Sequence, residues 1–277
     1  MRILVHLSDL HFGKADPVLL EPLLQSIEQI APDVVVISGD LTQRARAHQF
    51  KEARAFLDRL KAPTVVIPGN HDIPLNVIER FAMPLTKYRR HIARDIEPTY
   101  QDDEVSIFSI NTARSLTTDR GSISTAQLNR AARFFAQAKP GAVRIVVTHH
   151  PFDFPRAIRE KYRVRRAQRA MEVLARHQAD LFLAGHAHRC FTVCSAERYR
   201  IAGYSALIVQ AGTSISSRTR DEPNSFNVLR IARPYISVQS IFWSPEKRQF
   251  VGAQPANFQH SGQGWQPSTS IEQEKVG

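Results

Sequence analysis

Cysteine is scarce in this chain, with Cys190 and Cys194 alone among 277 residues. Two thiols exclude a disulfide scaffold and suit a reducing compartment, so a cytoplasmic location is expected. Long apolar runs are also missing. No stretch approaches the ~18 uninterrupted apolar residues of a membrane-spanning helix, which excludes a helical membrane span. His6, Ser8 and Asp9 break the opening apolar run and leave no room for a signal peptide there. Acidic side chains are in deficit, 26 against 37 basic ones, for a net charge of +11. That surplus points to an anionic partner, whether nucleic acid, nucleotide, phospholipid headgroup or acidic membrane surface, without choosing among them.

What is present is enough for a core. A hydrophobic content of 43% excludes global disorder, and the length suits one or two domains. Short β-branched runs at residues 3–7, 34–37, 65–67, 105–110, 145–147 and 181–183 read as buried strands. Between them, residues 18–30, 50–60, 124–138 and 166–177 carry apolar side chains at helical spacing. Strands alternating with helices imply crossovers and a mainly parallel sheet. After about residue 190 the helical signal stops, and 190–194, 207–210, 226–231 and 236–242 read as a second, antiparallel set. Residues 1–243 are taken as one domain. Residues 244–277, rich in Gln, Pro and Gly, are expected to form an irregular or partly disordered extension.

Polar residues crowd the ends of these strands, where open α/β sheets place ligands. The ends read Ser8-Asp9-Leu10-His11, Ser38-Gly39-Asp40, Pro68-Gly69-Asn70-His71-Asp72, Thr148-His149-His150-Pro151 and Gly185-His186-Ala187-His188. Asp9 with His11, and His186 with His188, are two apart and share one side of an extended segment, so one ion can take both. Imidazole with carboxylate suits zinc, iron or manganese, and the lack of thiolates argues against a structural zinc finger. Asp9, His11, Asp40, Asn70, His149, His186 and His188 exceed the needs of one tetrahedral ion and suit two if a carboxylate bridges. Glycines 39, 69 and 185 are expected to let the backbone turn sharply before a ligand. His6, His48, His91, His177 and His260 carry no such context and are read as core or surface residues.

In this order, Asp-x-His, Gly-Asp, Gly-Asn-His-Asp, His-His-Pro and Gly-His-x-His resemble the calcineurin-like metallophosphoesterase superfamily, over residues 5 to about 215. "GDLTQRA" at 39–45, "PGNHD" at 68–72 and the short "HHP" are most similar to its class III cyclic-nucleotide phosphodiesterase group. The resemblance implies a four-layer αββα sandwich, two mixed sheets flanked by helices, around two divalent ions of manganese, iron or zinc. Asp9, His11, Asp40 and His188 would hold one ion, and Asp40, Asn70, His149 and His186 the other. His71 would be catalytic, with Asp72 orienting it. Two ions, two carboxylates and a bridging hydroxide leave a charge of about +1, complementary to a phosphodiester. A hydroxide shared by ions about 3.5–4 Å apart can attack phosphorus in line, and His71 can serve the leaving alkoxide.

The lead substrate is therefore a small anionic diester such as a 3′,5′-cyclic nucleotide. The alternative is a larger anionic substrate, nucleic acid or a nucleotide-linked lipid of the UDP-diacylglucosamine type. A non-catalytic scaffold should have lost ligands, and none is missing. Candidate substrate contacts are Arg44, Asn111 and Arg114, with Arg46 and residues 214–220 as further rim candidates. Residues 156–169, with six arginines and Lys161, form a candidate basic flap. Phe152 and Phe154 could face a base or acyl group, or pack inward. His150 should point away from His149 into a supporting role, and the cysteines should pack as small apolar residues.

Overall fold

Strand periodicity sorts the apolar side chains into three separate cores. The computed structural model describes residues 1–117, 119–154, 162–218 and 222–268. In the first sheet, β1 (Arg2–Leu7), β2 (Val34–Ile37) and β3 (Thr64–Val66) run parallel. On its other side β1 pairs antiparallel with β10 (Ser225–Ala232), followed by β11 (Tyr235–Ser244), β13 (Ala256–Ser261) and β14 (Gly264–Pro267). The short β12 (Gln249–Gly252) also pairs with β11, completing eight strands. In the second sheet β5 (Val105–Ile110), β6 (Val143–Thr148), β7 (Leu181–Ala184) and β9 (Leu207–Gln210) are parallel, edged by antiparallel β4 (Thr99–Gln101) and β8 (Phe191–Cys194).

Alternation along each strand then builds four layers. Val35 and Ile37 of β2 pack with Leu19, Leu23 and Ile27 of α1 (Pro17–Ile30) and Phe50 and Phe56 of α2 (Ala47–Leu57). Their neighbours Val34 and Val36 instead meet Ile107, Ile145 and Leu183 of the second sheet. Val146, Phe182 and Ile208 face outward from that sheet onto Leu128 of α5 (Thr125–Phe135) and Met171 and Leu174 of α6 (Ala167–Arg176). The order helix, sheet, sheet, helix is the expected αββα sandwich. Ser124 starts α5 with a reciprocal cap, its Oγ accepting from the Gln127 backbone N–H at 3.2 Å while Gln127 Oε1 accepts from the Ser124 N–H at 2.8 Å.

Two parts of the sequence expectation change. The late strands do not form a separate antiparallel half: β9 lies parallel to β7, while β10 and β11 extend the first sheet from the free edge of β1. Residues 249–267, expected to be irregular, form β12, β13 and β14. Their Gln- and Pro-rich composition masks buried Phe250, Phe258 and Trp265, and Trp265 Nε1 donates to Asp180 Oδ1 at 2.9 Å. Two short helices, α3 (Val77–Ala82) and α4 (Thr86–His91), fall where no helical pattern was read. Among the described residues, no helix is long and apolar enough to cross a membrane.

Candidate active site

The C-terminal ends of β1, β2, β3, β6 and β7 converge at the seam between the two sheets and deliver all seven ligand candidates. Asp9, His11, Asp40, His149, His186 and His188 are buried and Asn70 is partly so. Five of the seven hold a left-handed backbone: Asp9 (φ 52°), His11 (49°), Asp40 (55°), His186 (71°) and His188 (57°). Each such residue costs roughly 1–3 kcal/mol and persists only where its surroundings over-determine it. Asp and His tolerate this region better than most side chains, which helps explain those residue types here.

The surroundings do over-determine them. Of the three glycines expected to turn sharply, only Gly39 has positive φ, at 104°. Gly69 and Gly185 are needed for close approach instead. A Cβ on Gly69 would lie 2.1 Å from Asp40 Oδ1, and one on Gly185 1.8 Å from Ser8 Oγ. These loops thus pack backbone directly against the polar side chains of the strand ends.

Hydrogen bonds orient two of the imidazoles so that Nε2 points inward. His149 Nδ1 donates to Ser38 O at 2.8 Å and His188 Nδ1 to Arg218 O at 2.9 Å, leaving each Nε2 as a lone pair. Those lone pairs meet other acceptors. His188 Nε2 lies 3.3 Å from His11 Nε2 and 3.1 Å from Asp9 Oδ1. His149 Nε2 lies 2.9 Å from Asn70 Oδ1 and 3.4 Å from Asp40 Oδ2. Asp40 Oδ2 is also 3.7 Å from His11 Nε2, so one carboxylate oxygen stands between the two groups. Its partner oxygen, Oδ1, is anchored by the His71 N–H at 2.8 Å.

Acceptors converging on a buried point require positive charge there. Burial opposes charge on His149, yet Asp40 and Asp9 overcome that and push it up to about 9, so a proton takes the Nε2 lone pair wherever no cation does. Burial likewise opposes the Asp9 carboxylate, but His188 and His11 hold it well below the usual carboxylate range. His186, held neutral by burial and by neighbouring His149, is pushed down to about 3. Among the described residues, Asp9 Oδ1 and His186 Nε2 are buried without a hydrogen-bond partner. Orphaned inward donor atoms, lone pairs face to face and a shared carboxylate oxygen fit a pair of divalent cations.

His71 is partly exposed beside this cradle, its ring edge-on to His11 with centroids 4.8 Å apart. Its Nδ1 donates to Gln43 O at 3.0 Å, and its Nε2 lies 3.1 Å from Arg218 Nη1. Asp72 does not orient His71. Its carboxylate accepts from the backbone N–H of Leu41, Thr42 and Gly69 and from Thr42 Oγ1, stapling the β2 and β3 loops together. Burial and nearby Asp40 push Asp72 up to about 7 against those donors.

The expected substrate contacts divide. Arg44 is exposed and lines a cavity of about 180 Å³ together with Gln43, Asn70, His71 and Leu75. Arg114 is turned inward, donating to Asn111 O, Ala113 O, Ser122 O and Oγ, and Gln127 Oε1, so its whole fork is used within the protein. Asn111 closes a turn of the same segment, its Oδ1 accepting from the Ala113 N–H at 3.0 Å. Phe152 and Phe154 are buried, Phe152 against Phe182. His150 is buried with Nδ1 on Thr112 Oγ1 at 2.8 Å and its ring against His186. Of the candidate flap, residues 156–161 lie outside the described residues, and its Arg165 and Arg166 are exposed. Gln43, Tyr162 and Arg218 are rim residues not named individually from the sequence, although Tyr162 lies in the candidate flap and Arg218 in the rim segment 214–220. Gln43 sits inside the "GDLTQRA" run, and the Tyr162 ring stands 5.2 Å from that of His186.

Comparison with known proteins matches this architecture. Residues 1–190 match the model of the calcineurin-like phosphoesterase family, and the chain belongs to that family. It is similar to a probable cyclic nucleotide phosphodiesterase of Synechococcus, 26% identical over 168 residues covering 60% of this chain and 62% of that protein. It is also similar to a UDP-2,3-diacylglucosamine pyrophosphatase of Chlamydia muridarum, 27% identical over 155 residues, 54% of this chain and 42% of that one. The matches to curated relatives span from 29% to 62% of those proteins' lengths. A dimetal phosphatase from Danio rerio shares the fold, with a TM-score of 0.66 at 13% identity over 94% of this chain and 99% of that chain.

Proposed function

We propose that the protein is a dinuclear-metal phosphodiesterase acting on a small anionic diester, with cyclic nucleotides as the leading substrate class. The observation that carries this reading is Asp40 Oδ2 standing 3.4 Å from His149 Nε2 and 3.7 Å from His11 Nε2. Asp9, His11, Asp40 and His188 would hold one ion, and Asp40, Asn70, His149 and His186 the other. Manganese, iron and zinc all suit this donor set. When bound, such a pair supplies a nucleophile at neutral pH and neutralises charge on the phosphoryl group.

The chain's own residues do the rest. The Gln43 carbonyl fixes His71 with Nδ1 protonated, which leaves the Nε2 lone pair to take up a proton from solvent and pass it to the leaving oxygen. Arg218 Nη1 lies 3.1 Å from that nitrogen. An incoming diester draws its guanidinium onto phosphoryl oxygens and frees His71 Nε2 for the proton. Arg44 on the cavity wall offers a second cation for groups beyond the scissile phosphate. The two free cysteines suit a reducing, cytoplasmic location. A nucleotide-linked lipid is the second reading, favoured by apolar Leu75 on the same wall.

A substrate panel with Mn²⁺ tests the assignment, using 3′,5′- and 2′,3′-cyclic nucleotides, bis(p-nitrophenyl) phosphate, UDP-diacylglucosamine and single-stranded DNA. Turnover of the small diesters is expected. Metal-loaded protein inactive on every diester contradicts a phosphodiesterase, and turnover of the lipid alone selects the second reading.

A further inference from the structure

The corner of the molecule built by α3 is inverted with respect to ordinary amphipathic packing. Its buried residue is Arg80, only 7% exposed, while Ile78 is 75% and Phe81 54% exposed. Val77, Met83 and Leu75, just before the helix, are exposed as well. Arg80 explains how the inversion is held. Its guanidinium donates to Pro74 O at 3.2 Å, Ser115 O at 2.6 Å and Thr117 O at 2.8 Å, clamping the helix onto the 115–117 loop. Leu116, between two of those carbonyls, is 86% exposed and adds to the same apolar surface. Singly exposed apolar residues are ordinary, but six gathered on one clamped corner mark an interaction surface.

The charges around this corner say what it meets. Arg44, Arg46 and Lys87 share a cavity wall with Leu75, and exposed Arg89 and Arg90 of α4 follow one short turn after Met83. Of the acids nearby, Glu79 is paired with Lys87 at 2.7 Å and Asp119 lies on the His71 cavity. The chain as a whole carries +11. A second copy joined through a two-fold axis would set this basic border against itself. An anionic bilayer does the opposite, taking apolar side chains below its headgroups and cations at their level.

We infer that the α3 corner, with Leu75, Val77, Ile78, Phe81, Met83 and Leu116 inside a basic border, docks on an anionic lipid surface. Leu75 belongs both to this corner and to the His71 cavity, so docking brings the mouth of the site to the bilayer. The inference is independent of which diester is hydrolysed.

Vesicle co-sedimentation of the full chain tests it, comparing phosphatidylcholine vesicles containing phosphatidylglycerol with pure phosphatidylcholine. The wild type is expected to bind the anionic vesicles and to release as salt is added. The double variant I78D/F81D is expected to bind about tenfold more weakly or worse. It should keep its melting temperature and its turnover of soluble bis(p-nitrophenyl) phosphate. Leu116→Asp, on a different segment, should also weaken binding, and it decides the matter if the double variant misfolds. Three results overturn the inference: no wild-type binding at low salt, undiminished binding by the folded variants, or a wild-type dimer that these substitutions convert to monomer.

Discussion

The ion cradle and the substrate rim lie side by side and are built by opposite means. In the cradle, the candidate ligands sit at the ends of parallel strands, five of the seven on left-handed backbone, and most oxygens and nitrogens not aimed inward are tied to a neighbour. Asp9 Oδ2, for example, accepts from Ser8 Oγ at 2.6 Å and the His186 N–H at 2.9 Å, leaving Oδ1 for the centre. On the rim, His71 is positioned by a carbonyl of the β2 loop and by an arginine from a segment 147 residues further along the chain. The cradle is local geometry repeated five times; the rim is assembled by long-range loop contacts. Damage to the first should therefore remove the chemistry's platform, and damage to the second should change rates on an intact platform.

The largest break is expected from Asp40→Ala, which removes the oxygen common to both ligand groups. Metal content should fall from two ions per chain toward none, and turnover by about three orders of magnitude or more; plasma emission spectrometry and a diester assay check both. His71→Ala should separate the two regions. Turnover should drop about 10²–10⁴-fold with both ions retained, whereas lost metal would make His71 part of the cradle. Arg218→Ala should lower kcat/KM about tenfold, with partial recovery in Arg218→Lys, measured on a cyclic nucleotide. Smallest in activity is Arg114→Ala. It should cost about 1–3 kcal/mol of stability in urea melts through unpaired buried carbonyls, with kcat/KM of the folded protein unchanged.

The same contrast explains what was legible in the amino-acid order. Strand, turn and ligand are contiguous at Asp9–His11 or His186–His188, so period-two burial and the two-residue spacing expose the cradle directly. The αββα layering comes from the family resemblance, because the strand pattern alone sets the late strands apart as a second half, whereas β9 joins β7 and β10 joins β1. Arg114 and Asn111 also sit just past a strand end, yet their polar atoms are used by Ser122, Gln127 and Ala113, which no local pattern reveals. Asp72 beside His71 in sequence points to the other side of the short turn, toward Leu41 and Thr42. The strands after residue 244 were hidden by composition, because Phe258 and Trp265 are buried amid Gln, Pro and Gly. α3 was hidden because its periodicity is reversed, with arginine inside and Ile78 and Phe81 outside.

In the proposed centre, Asp40 joins two ions in one cradle. Electron paramagnetic resonance of Mn²⁺-loaded wild-type protein, with the metal content measured on the same sample, tests it most directly. Two ions per chain with an exchange-coupled spectrum are expected. A single ion per chain, or two that are magnetically independent, would contradict it.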